Sequence, residues 1–459
     1  MSSEQALSGR FPLDCNAVRG PLLHFLAEPG VGTPAPDSYE YLPDGVLVWR
    51  EGRVLATGDA ATLLPELPAQ CRVEQWPDGL IMPGLIDTHV HMPQLSVMAS
   101  YGTQLLDWLE TYTFPAESRF ADPVWAERGA ERFVDLLLAH GTTSALVFST
   151  SHRGATEALF RAAHQRDMAI ITGKVMMDRH APEGVRDETR QSYEDSLELI
   201  GHWHGRGRQR YAVTPRFAAT SSVEQLTLAG RLLGEAPGVL MQTHWAENHA
   251  EIAWIRELFP DRKSYLDVYD HFGLLGSTSV LAHGIHIDQE DRRRLAETGS
   301  RIAFCPTSNT FLGSGLFDLA SAREAGVEVG LATDVGGGTS LSMLATLGEA
   351  YKVCQLRGQS LNPFQALYMA TLGNAGVLHQ ADSVGNFAPG KHADFLIIDR
   401  FASPMLRMKN TAVSDLRGLL FDLMILGDDR CVRRTYIAGH CRYDRDTAQG
   451  VAFDACLSG

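Results

Sequence analysis

The sequence predicts an α/β fold: a TIM-type (β/α)8 barrel with a small β-sandwich domain formed by both termini. Between residues 83 and 384, apolar strand-like runs alternate with helix-like segments, which is the pattern of parallel β/α units. Short strands and turns flank this region on both sides. Histidine or aspartate closes several of the apolar runs, at the strand ends where such barrels carry their active sites.

The predicted barrel strands number eight, and about 300 residues is a usual length for such a barrel. They are LIDTHVH, TTSALVF, AIITGKVMM, YAVTPRF, VLMQTHW, SVLAHG, RIAFCP and VEVGLATD. Helix-like segments such as WAERGAERFVDLLLAH, SSVEQLTLAGRLLG and PFQALYMATLG lie between them.

Both ends of the chain have a sequence pattern that differs from the β/α pattern of the middle. Before Pro83 the sequence contains the short strands GVLVW and RVLATG around a Glu51-Gly52 turn, and similar strands return after about Val384 in HADFLIID and VRRTYIAG. We therefore expect residues 1–82 and 385–459 to form the two parts of one small β domain. Residues 83–384 would form the catalytic barrel.

The candidate metal ligands are His89, His91, His244, His283 and Asp334. His89 and His91 are two residues apart in PGLIDTHVH, so on a strand both side chains point to one face. The other three close the later runs MQTHW, LAH and LATD. A catalytic zinc requires imidazole and carboxylate ligands with one position left for water. The set predicts a metallohydrolase.

Three other motifs have simpler interpretations. His202 and His204 repeat the His-x-His spacing, but they lie in the arginine-rich LIGHWHGRGRQR, where we expect a solvated helix end. The same interpretation covers the basic cluster Arg206, Arg208 and Arg210. The glycine run 336–338 lacks the Gly-Lys-Ser/Thr of a phosphate loop, so it predicts a flexible turn beside the metal.

Composition excludes several classes of protein. A net charge of -15 argues against binding a nucleic-acid backbone, which requires clustered Lys and Arg. The 7 cysteines are scattered without a C-x-x-C, which indicates reduced thiols rather than disulfides or a zinc ribbon. The sequence MSSEQALSGRFPLD does not resemble a signal peptide, and no apolar stretch approaches the ~18 residues of a membrane span. We expect a cytoplasmic protein without a membrane partner.

A resemblance to a known family rests on eight motifs: PGLIDTHVHMPQ, LLDWLETYTFPAE, GKVMMD, TPRF, HWAEN, AHG, FCPTSN and TDVGGGTS. Together they resemble the bacterial branch of the guanine deaminase family, within the amidohydrolase superfamily. The similarity extends from about Val46 to Tyr443. It implies an amidohydrolase-type barrel that converts guanine to xanthine and ammonia, with one zinc per subunit in a homodimer.

The resemblance also implies a ligand set. His89, His91, His244 and Asp334 would bind a single zinc. Many relatives hold a second metal through a carbamylated lysine at the end of strand four, but this chain reads TPRF there and has no lysine. Lys174 lies on strand three and is expected to pack or to support the site. A mononuclear centre follows.

Roles in catalysis are implied in the same way. Zinc lowers the pKa of bound water from 15.7 toward about 7. Asp334 would take the proton as hydroxide attacks C2 of guanine, and His283 would steady that hydroxide. Glu247 would protonate N3 and then pass a proton to the departing amine. The simpler interpretation of Glu247 is a carboxylate favoured at a helix start by the helix dipole.

Substrate recognition is assigned to Gln94 and Arg216, with the backbone of Phe217. An arginine directed at a carbonyl oxygen favours 6-oxopurines and rejects adenine, which has a donor amine there. The simpler interpretation of Arg216 is a salt bridge that closes the barrel mouth. Trp108 and Phe114 would either form the cavity wall or belong to the core.

Three alternatives were compared with this function. A related deaminase of another amino-heterocycle, such as a triazine, an adenosine-like compound or cytosine, would share the metal set but lack TPRF and YTFPAE. The cytidine-deaminase zinc fold needs H-x-E followed by P-C-x-x-C, and only the first half is present, in His249-Ala250-Glu251. A non-catalytic barrel scaffold would have lost metal ligands. Two departures from the family pattern, Trp245 and Phe304, leave the ligand positions untouched.

Overall fold

The fold is described from a computed structural model, which covers residues 10–102, 104–412 and 415–447. Its strands form two sheets. Eight parallel strands build a nearly closed barrel, and strands from both ends of the chain build a second sheet. The predicted fold class is confirmed.

The N-terminal strands belong to the second sheet. They are β1 (Asn16–Phe25), β2 (Tyr39–Arg50), β3 (Arg53–Asp59), β4 (Arg72–Gln75) and β5 (Gly79–Pro83). Strands β2 and β3 form a hairpin around the predicted turn, where Glu51 and Gly52 have φ of 50° and 76°. Positive φ at both residues is typical of the two-residue turns that match strand twist.

Each of the eight predicted runs contains a barrel strand, and the third run also contains a second, short strand. They are β6 (Leu85–His91), β7 (Thr142–Phe148), β8 (Ala169–Gly173), the short β9 (Val175–Met176) continuing the third run, β10 (Arg210–Pro215), β11 (Leu240–Trp245), β12 (Ser279–His283), β13 (Arg301–Phe304) and β14 (Val329–Leu331). The hydrogen-bonded order runs from β6 to β14 in sequence, with β9 beside β10. Past β14, the N–H of Asp334 donates to His89 O at 2.9 Å and the N–H of His91 donates to Val335 O at 2.7 Å. These bonds join the last strand region to the first.

Helices follow the barrel strands along the chain. They are Pro123–Ala139, Arg153–Gln165, Thr189–Trp203, Val223–Glu235, His249–Leu258, Tyr265–His271, Gln289–Thr298, Pro306–Phe311, Leu319–Glu324, Met343–Leu356, Pro363–Tyr368 and Asn374–Val377. Shorter helices follow β3 and β6, at Ala60–Leu63, Leu105–Trp108 and Phe114–Ser118. Single turns of 3-10 helix lie at Leu64–Glu66, Met92–Val97, Arg119–Ala121, Glu183–Val185, Ala218–Thr220 and Asp429–Cys431, and π-helical turns lie at Leu109–Thr113 and Met369–Gly373.

An apolar cluster fills the barrel core. All eight strand regions contribute to it, through Ile86, Leu146, Ile171, Ala212, Leu240, Val280, Ala303 and Ala332. Val377 and Leu378, at the end of a later helix, pack against the same cluster. Strands that are buried on both faces require near-continuous apolar sequences. The barrel strands could therefore be predicted from their apolar runs.

The C-terminal region returns to the second sheet. Its strands are β15 (Phe395–Asp399), β16 (Val432–Ile437) and β17 (His440–Asp444), with helices Pro404–Ala412 and Leu416–Leu426 between β15 and β16. Strand β15 pairs antiparallel with β5, which joins the two ends of the chain in one sheet. The division into domains at residues 82 and 384 stays a prediction. Within the described residues, no helix combines the length and apolarity needed to cross a bilayer.

One prediction about the basic cluster is wrong. Arg206 is exposed, as expected of a solvated helix end. Arg208 instead forms a bidentate ion pair with buried Asp394, and Arg210 donates to the backbone carbonyls of Leu378 and Gly238. A guanidinium group carries several donors in a fixed plane, so each of these two arginines can bond the barrel to neighbouring segments.

Candidate active site

The candidate ligands meet at the carboxyl ends of the barrel strands. His89 and His91 lie at the end of β6, His244 lies near the end of β11, and His283 ends β12. Asp334 follows β14 by three residues. The hydrogen bonds that close the barrel bring Asp334 beside β6, so residues distant in sequence share one cluster.

Four side chains have donor atoms at metal-ligand spacing. His91 Nε2 lies 3.1 Å from His89 Nε2, 3.2 Å from His244 Nε2 and 3.3 Å from Asp334 Oδ1. His89 Nε2 lies 3.2 Å from the same Asp334 oxygen. Ligands bonded at about 2.0 to 2.2 Å in a tetrahedron are about 3.3 to 3.6 Å apart. The four residues therefore fit one divalent metal ion.

His283 extends this cluster. The ligand atoms of His89, His244, His283 and Asp334 lie within 4.8 Å of one another, so they too could hold a metal. His283 Nε2 is 3.8 Å from Asp334 Oδ2, a longer separation than those around His91 Nε2. We therefore favour His91 as the third imidazole ligand and place His283 beside the open position. Within the described structure, His283 Nε2 is buried and makes no hydrogen bond.

Burial favours the neutral form of His91, His244 and His283, which is the form that a metal requires. Burial lowers the pKa of His91 to about 4 and that of His283 to about 3, and it moves the pKa of His244 well below its usual value. The Nδ1–H of His244 can donate to the Arg216 carbonyl at 2.7 Å, which leaves Nε2 free to face the cluster. Metal binding needs deprotonated ligands, so these shifts favour it.

The backbone at the cluster is strained. His283 and Asp334 adopt the left-handed region, with φ of 76° and 51°. Residues other than glycine rarely do so, and such outliers are concentrated at functional sites. Asp87 supports the Asp334 segment, since its carboxylate accepts hydrogen bonds from the hydroxyl and N–H of Thr333 and from the N–H of His89.

The glycine run beside Asp334 lies at the predicted turn and is tightly packed, and its flexibility stays a prediction. A Cβ at Gly336 would lie 2.4 Å from Gln94 O, and one at Gly338 would lie 1.8 Å from Thr333 O. Gly337 lines the cavity. The run contains glycine because the backbone passes too close to its neighbours for a side chain.

Glu247 lies next to the cluster on the loop that follows β11. Its Oε2 is 3.3 Å from His283 Nε2, and its Oε1 accepts from the Ser314 hydroxyl at 3.3 Å. Burial raises the pKa of Glu247 well above its usual value, and the negative charges of Asp334 and Glu251 add to the shift. A metal cation would act in the opposite direction. A carboxyl in this setting is suited to carry a proton near neutral pH.

A cavity opens beside these groups. Gln94, Arg216 and Phe217 line it together with Glu247 and the metal cluster, and Trp108 and Leu312 contribute to its apolar wall. All the residues predicted to bind substrate are therefore near those predicted to do chemistry.

Arg216 is both paired and available. Its Nη1 donates to Glu117 Oε2 at 2.7 Å, which matches the simpler interpretation of a salt bridge, yet its side chain also lines the cavity. The Phe114 ring lies under the guanidinium, 5.2 Å from Arg216 Cζ, and is buried rather than part of the cavity wall. A fork of five donors can serve both partners.

Comparison with known proteins agrees with this geometry. The model of the Amidohydrolase family matches residues 80–441. The chain is 44% identical to a guanine deaminase of Escherichia coli K12 over 96% of this chain and 100% of that protein. The chain belongs to the amidohydrolase family, in its guanine deaminase group.

Solved structures of guanine deaminases are similar over nearly the whole chain. The Escherichia coli enzyme has a TM-score of 0.90 at 45% identity, covering 94% of this chain and 100% of that one. An enzyme from C. acetobutylicum with guanine bound in its active site has a TM-score of 0.84 at 26% identity, with coverage of 94% and 100%. The resemblance drawn from the motifs is confirmed.

Several residues of this amidohydrolase site were not assigned from the sequence. Glu117 accepts from Gln94 and Arg216, Asn309 Nδ2 lies 2.9 Å from His283 Nδ1, and Ser314 contacts Glu247. Glu251 accepts from the N–H groups of Glu247 and Asn248 and from the Tyr265 hydroxyl. Glu117 and Asn309 lie inside the quoted motifs YTFPAE and FCPTSN. The motifs therefore pointed to these residues but did not indicate their roles.

Lys174 and the two departures from the family pattern, Phe304 and Trp245, lie outside this cavity and are packed in the interior. Lys174 is buried and donates to Asp187 at 2.5 Å and to Ser192 at 3.1 Å. Phe304 stacks on Phe317 with ring centroids 4.9 Å apart. Trp245 is fully buried, and its ring lies against Gly284.

Proposed function

We propose that this chain hydrolyses guanine to xanthine and ammonia at a single zinc ion held by His89, His91, His244 and Asp334. The observation that carries the proposal is the spacing of 3.1 to 3.3 Å from His91 Nε2 to the three other donor atoms, at the floor of a cavity that also contains Glu247, Arg216 and Gln94. When bound, the metal would supply a water of lowered pKa as the nucleophile.

Glu247 and Asp334 would move the protons. Asp334 takes a proton from the attacking water as the new C2–O bond forms. Glu247 donates a proton to N3 of guanine, then as a carboxylate takes the proton of the new C2 hydroxyl and passes it to the C2 amine as the C–N bond breaks, and the proton held by Asp334 restores Glu247 for the next cycle. Its position 3.3 Å from His283 Nε2 supports this role, because both groups border the same open position. Guanine and water thus give xanthine and ammonia.

His283 would hold the nucleophile. Its Nδ1 faces the Asn309 amide at 2.9 Å, and its buried Nε2 lies 3.3 Å from Glu247 Oε2 and 3.8 Å from Asp334 Oδ2. An imidazole beside both carboxylates can contact the attacking water, which supports the proposed role.

Gln94, Arg216 and Phe217 would recognise the purine. Arg216 carries donors only, so it can pair with the guanine carbonyl oxygen but not with the donor amine of adenine. Trp108 and Leu312 offer apolar contact to the ring. A purine without this oxygen would leave the donors of Arg216 unpaired. The arrangement therefore favours 6-oxopurines.

We further propose a cytoplasmic homodimer whose active sites each lie within one chain. The candidate ligands, Glu247 and Arg216 all belong to this chain, so no residue of a second copy is needed to assemble the cluster described. Closed two-fold dimers are the commonest oligomers of soluble proteins. Light scattering at increasing concentration tests this, and a persistent mass of one chain contradicts it.

The activity is tested by incubating the purified protein with guanine. Xanthine is quantified by chromatography and ammonia by a coupled assay, and the two should appear in equal amounts. Adenine, cytosine and a triazine serve as alternative substrates. Turnover of one of these with inert guanine would move the protein to a different branch of the amidohydrolases.

A further inference from the structure

A buried carboxylate lies behind the substrate side of the cavity. Glu117 is 0% exposed and does not line the cavity itself. Its Oε1 accepts from Gln94 Nε2 at 2.9 Å, and its Oε2 accepts from Arg216 Nη1 at 2.7 Å. Neither the metal cluster nor the proton transfers use this residue. One carboxylate therefore holds both side chains proposed to recognise the purine.

We infer that Glu117 is a positioning residue that sets the specificity for the 6-oxo group by fixing Gln94 and Arg216. The inference rests on the proposed function. Glu117 acts through its two partners and makes no contact with substrate.

The first argument concerns charge. Arg216 is 2% exposed, and a buried guanidinium without a counter-charge is strongly unfavourable. Arg216 also contributes, after burial as the main cause, to the lowered pKa of His91 and His244, so its charge is close to the metal cluster. The negative charge of Glu117 offsets this cation while occupying only part of its five donors. The remaining donors stay available to the cavity.

A second argument concerns the Gln94 amide. A carboxylate can only accept, so Glu117 selects the orientation in which the amide NH2 of Gln94 faces it. The amide oxygen then accepts from the Gly336 N–H at 3.2 Å. Gln94 Nε2 also lies 3.1 Å from His91 Nδ1. A neutral amide at position 117 could donate or accept, so only the contacts with Gly336 and His91 would then orient the Gln94 amide. Loss of the carboxylate would therefore weaken the positioning of Gln94 as well as that of Arg216.

The local backbone supports the same role. A π-helical turn, Leu109–Thr113, leads directly into the short helix Phe114–Ser118. This helix supplies Phe114 under the guanidinium and Glu117 beside it. Single π-helical turns occur frequently at functional sites, where they redirect side chains. The guanidinium of Arg216 is thus held by two residues of one turn.

The decisive experiment compares guanine with 2-aminopurine, which keeps the C2 amine but lacks the 6-oxo group. The variant Glu117→Gln should lose about tenfold or more in kcat/KM for guanine, mainly through KM, because uniform binding is lost. Its kcat/KM for 2-aminopurine, or the inhibition constant of 2-aminopurine if turnover is slow, should change by less than about twofold. The preference for guanine should therefore collapse.

Two further variants separate positioning from folding. Asp394→Asn removes another buried carboxylate paired with an arginine, Arg208, and should lower the melting temperature without changing the substrate preference. Glu117→Asp keeps the negative charge, so Arg216 stays neutralised, but it withdraws the carboxylate by one methylene. The preference for guanine over 2-aminopurine should therefore fall in this variant as well. This second variant keeps the test valid if Glu117→Gln folds poorly.

A double-variant cycle completes the test. Because Glu117 acts on the 6-oxo group only through Arg216 and Gln94, Arg216→Ala should reduce the guanine preference little further when Glu117 is already glutamine. The inference is wrong if Glu117→Gln keeps the native preference, or if guanine and 2-aminopurine suffer equally. Failure of the native protein to deaminate guanine would instead reject the proposed function.

Discussion

The imidazole Nδ1 of His244 lies 2.7 Å from the backbone carbonyl oxygen of Arg216. The two residues lie at the ends of neighbouring barrel strands, β11 and β10. The backbone atom that can fix the tautomer of His244, a proposed metal ligand, therefore belongs to the residue proposed to recognise the substrate. Contacts of this kind to a ligand imidazole commonly fix its orientation and basicity. The proposed metal site and the proposed purine site would thus be linked through Arg216.

Removal of the metal should abolish activity reversibly. The described ligand set supports one ion, with three imidazoles and one carboxylate and no lysine at the end of strand four. Protein treated with a chelator should regain full turnover with about one equivalent of zinc per chain. Metal analysis and an activity titration measure this. A requirement for two equivalents would contradict the mononuclear site.

The variant Glu247→Gln should lose roughly 100-fold or more in turnover while keeping its metal. Glutamine has nearly the same shape but cannot transfer the proton to N3 or to the leaving amine. Steady-state kinetics with guanine and metal analysis on the same preparation provide the measurement. Asp334→Asn is the comparison variant and should lose both metal and turnover. Near-normal turnover of Glu247→Gln would exclude it as the proton carrier.

The barrel and the positions of the candidate ligands were predictable because their signals are local. Each strand is a short apolar run, and His89, His91, His244 and His283 lie at the ends of such runs. This local pattern does not separate His91 from His283, so their different roles were expected only from the family resemblance. The distances of 3.3 and 3.8 Å to the two oxygens of Asp334 favour the same division.

Long-range ion pairs were the part that sequence reasoning missed. Glu117 and Arg216 are 99 residues apart, and Arg208 and Asp394 are 186 apart. No periodicity connects such partners, because a charged residue in a loop or at a strand end has the same local pattern whether it is solvated or paired. The close packing of the glycine run at 336–338 was missed for a related reason: glycine permits both flexibility and close packing, and the sequence does not show which atoms lie beside it.

Arg216→Ala should weaken the use of guanine by about 2 to 4 kcal/mol in kcat/KM without loss of metal. The change removes the donors proposed for the guanine oxygen. It also leaves the buried carboxylate of Glu117 without its cationic partner, so the free energy of unfolding should fall by about 3 kcal/mol or more. Kinetics and denaturant unfolding measure the two effects. Adenine should be a poor substrate of the native protein, and efficient adenine deamination would contradict the recognition model.

The last prediction concerns acid stability and a histidine outside the active site. His392 lies just before β15 and bridges to Arg53 of β3. Burial lowers the pKa of His392 to about 4, and Arg208 and Arg53 act in the same direction. Since a histidine in the unfolded chain titrates near a pKa of about 6.5, the unfolded state binds more protons between pH 6.5 and about 4. The contribution of His392 is therefore fully present above pH 6.5 and is lost as the pH falls.

The variant His392→Gln removes this titration while keeping a polar side chain of similar size. Between pH 7 and pH 5, the free energy of unfolding of the native protein should fall by about 1 to 2 kcal/mol more than that of the variant, a value reduced for the partial exposure of the ring. Urea unfolding at a series of pH values measures both proteins. The other histidines are common to the two, so their contributions cancel in the difference. Parallel stability curves from pH 7 to pH 5 would show that His392 does not resist protonation in the folded state.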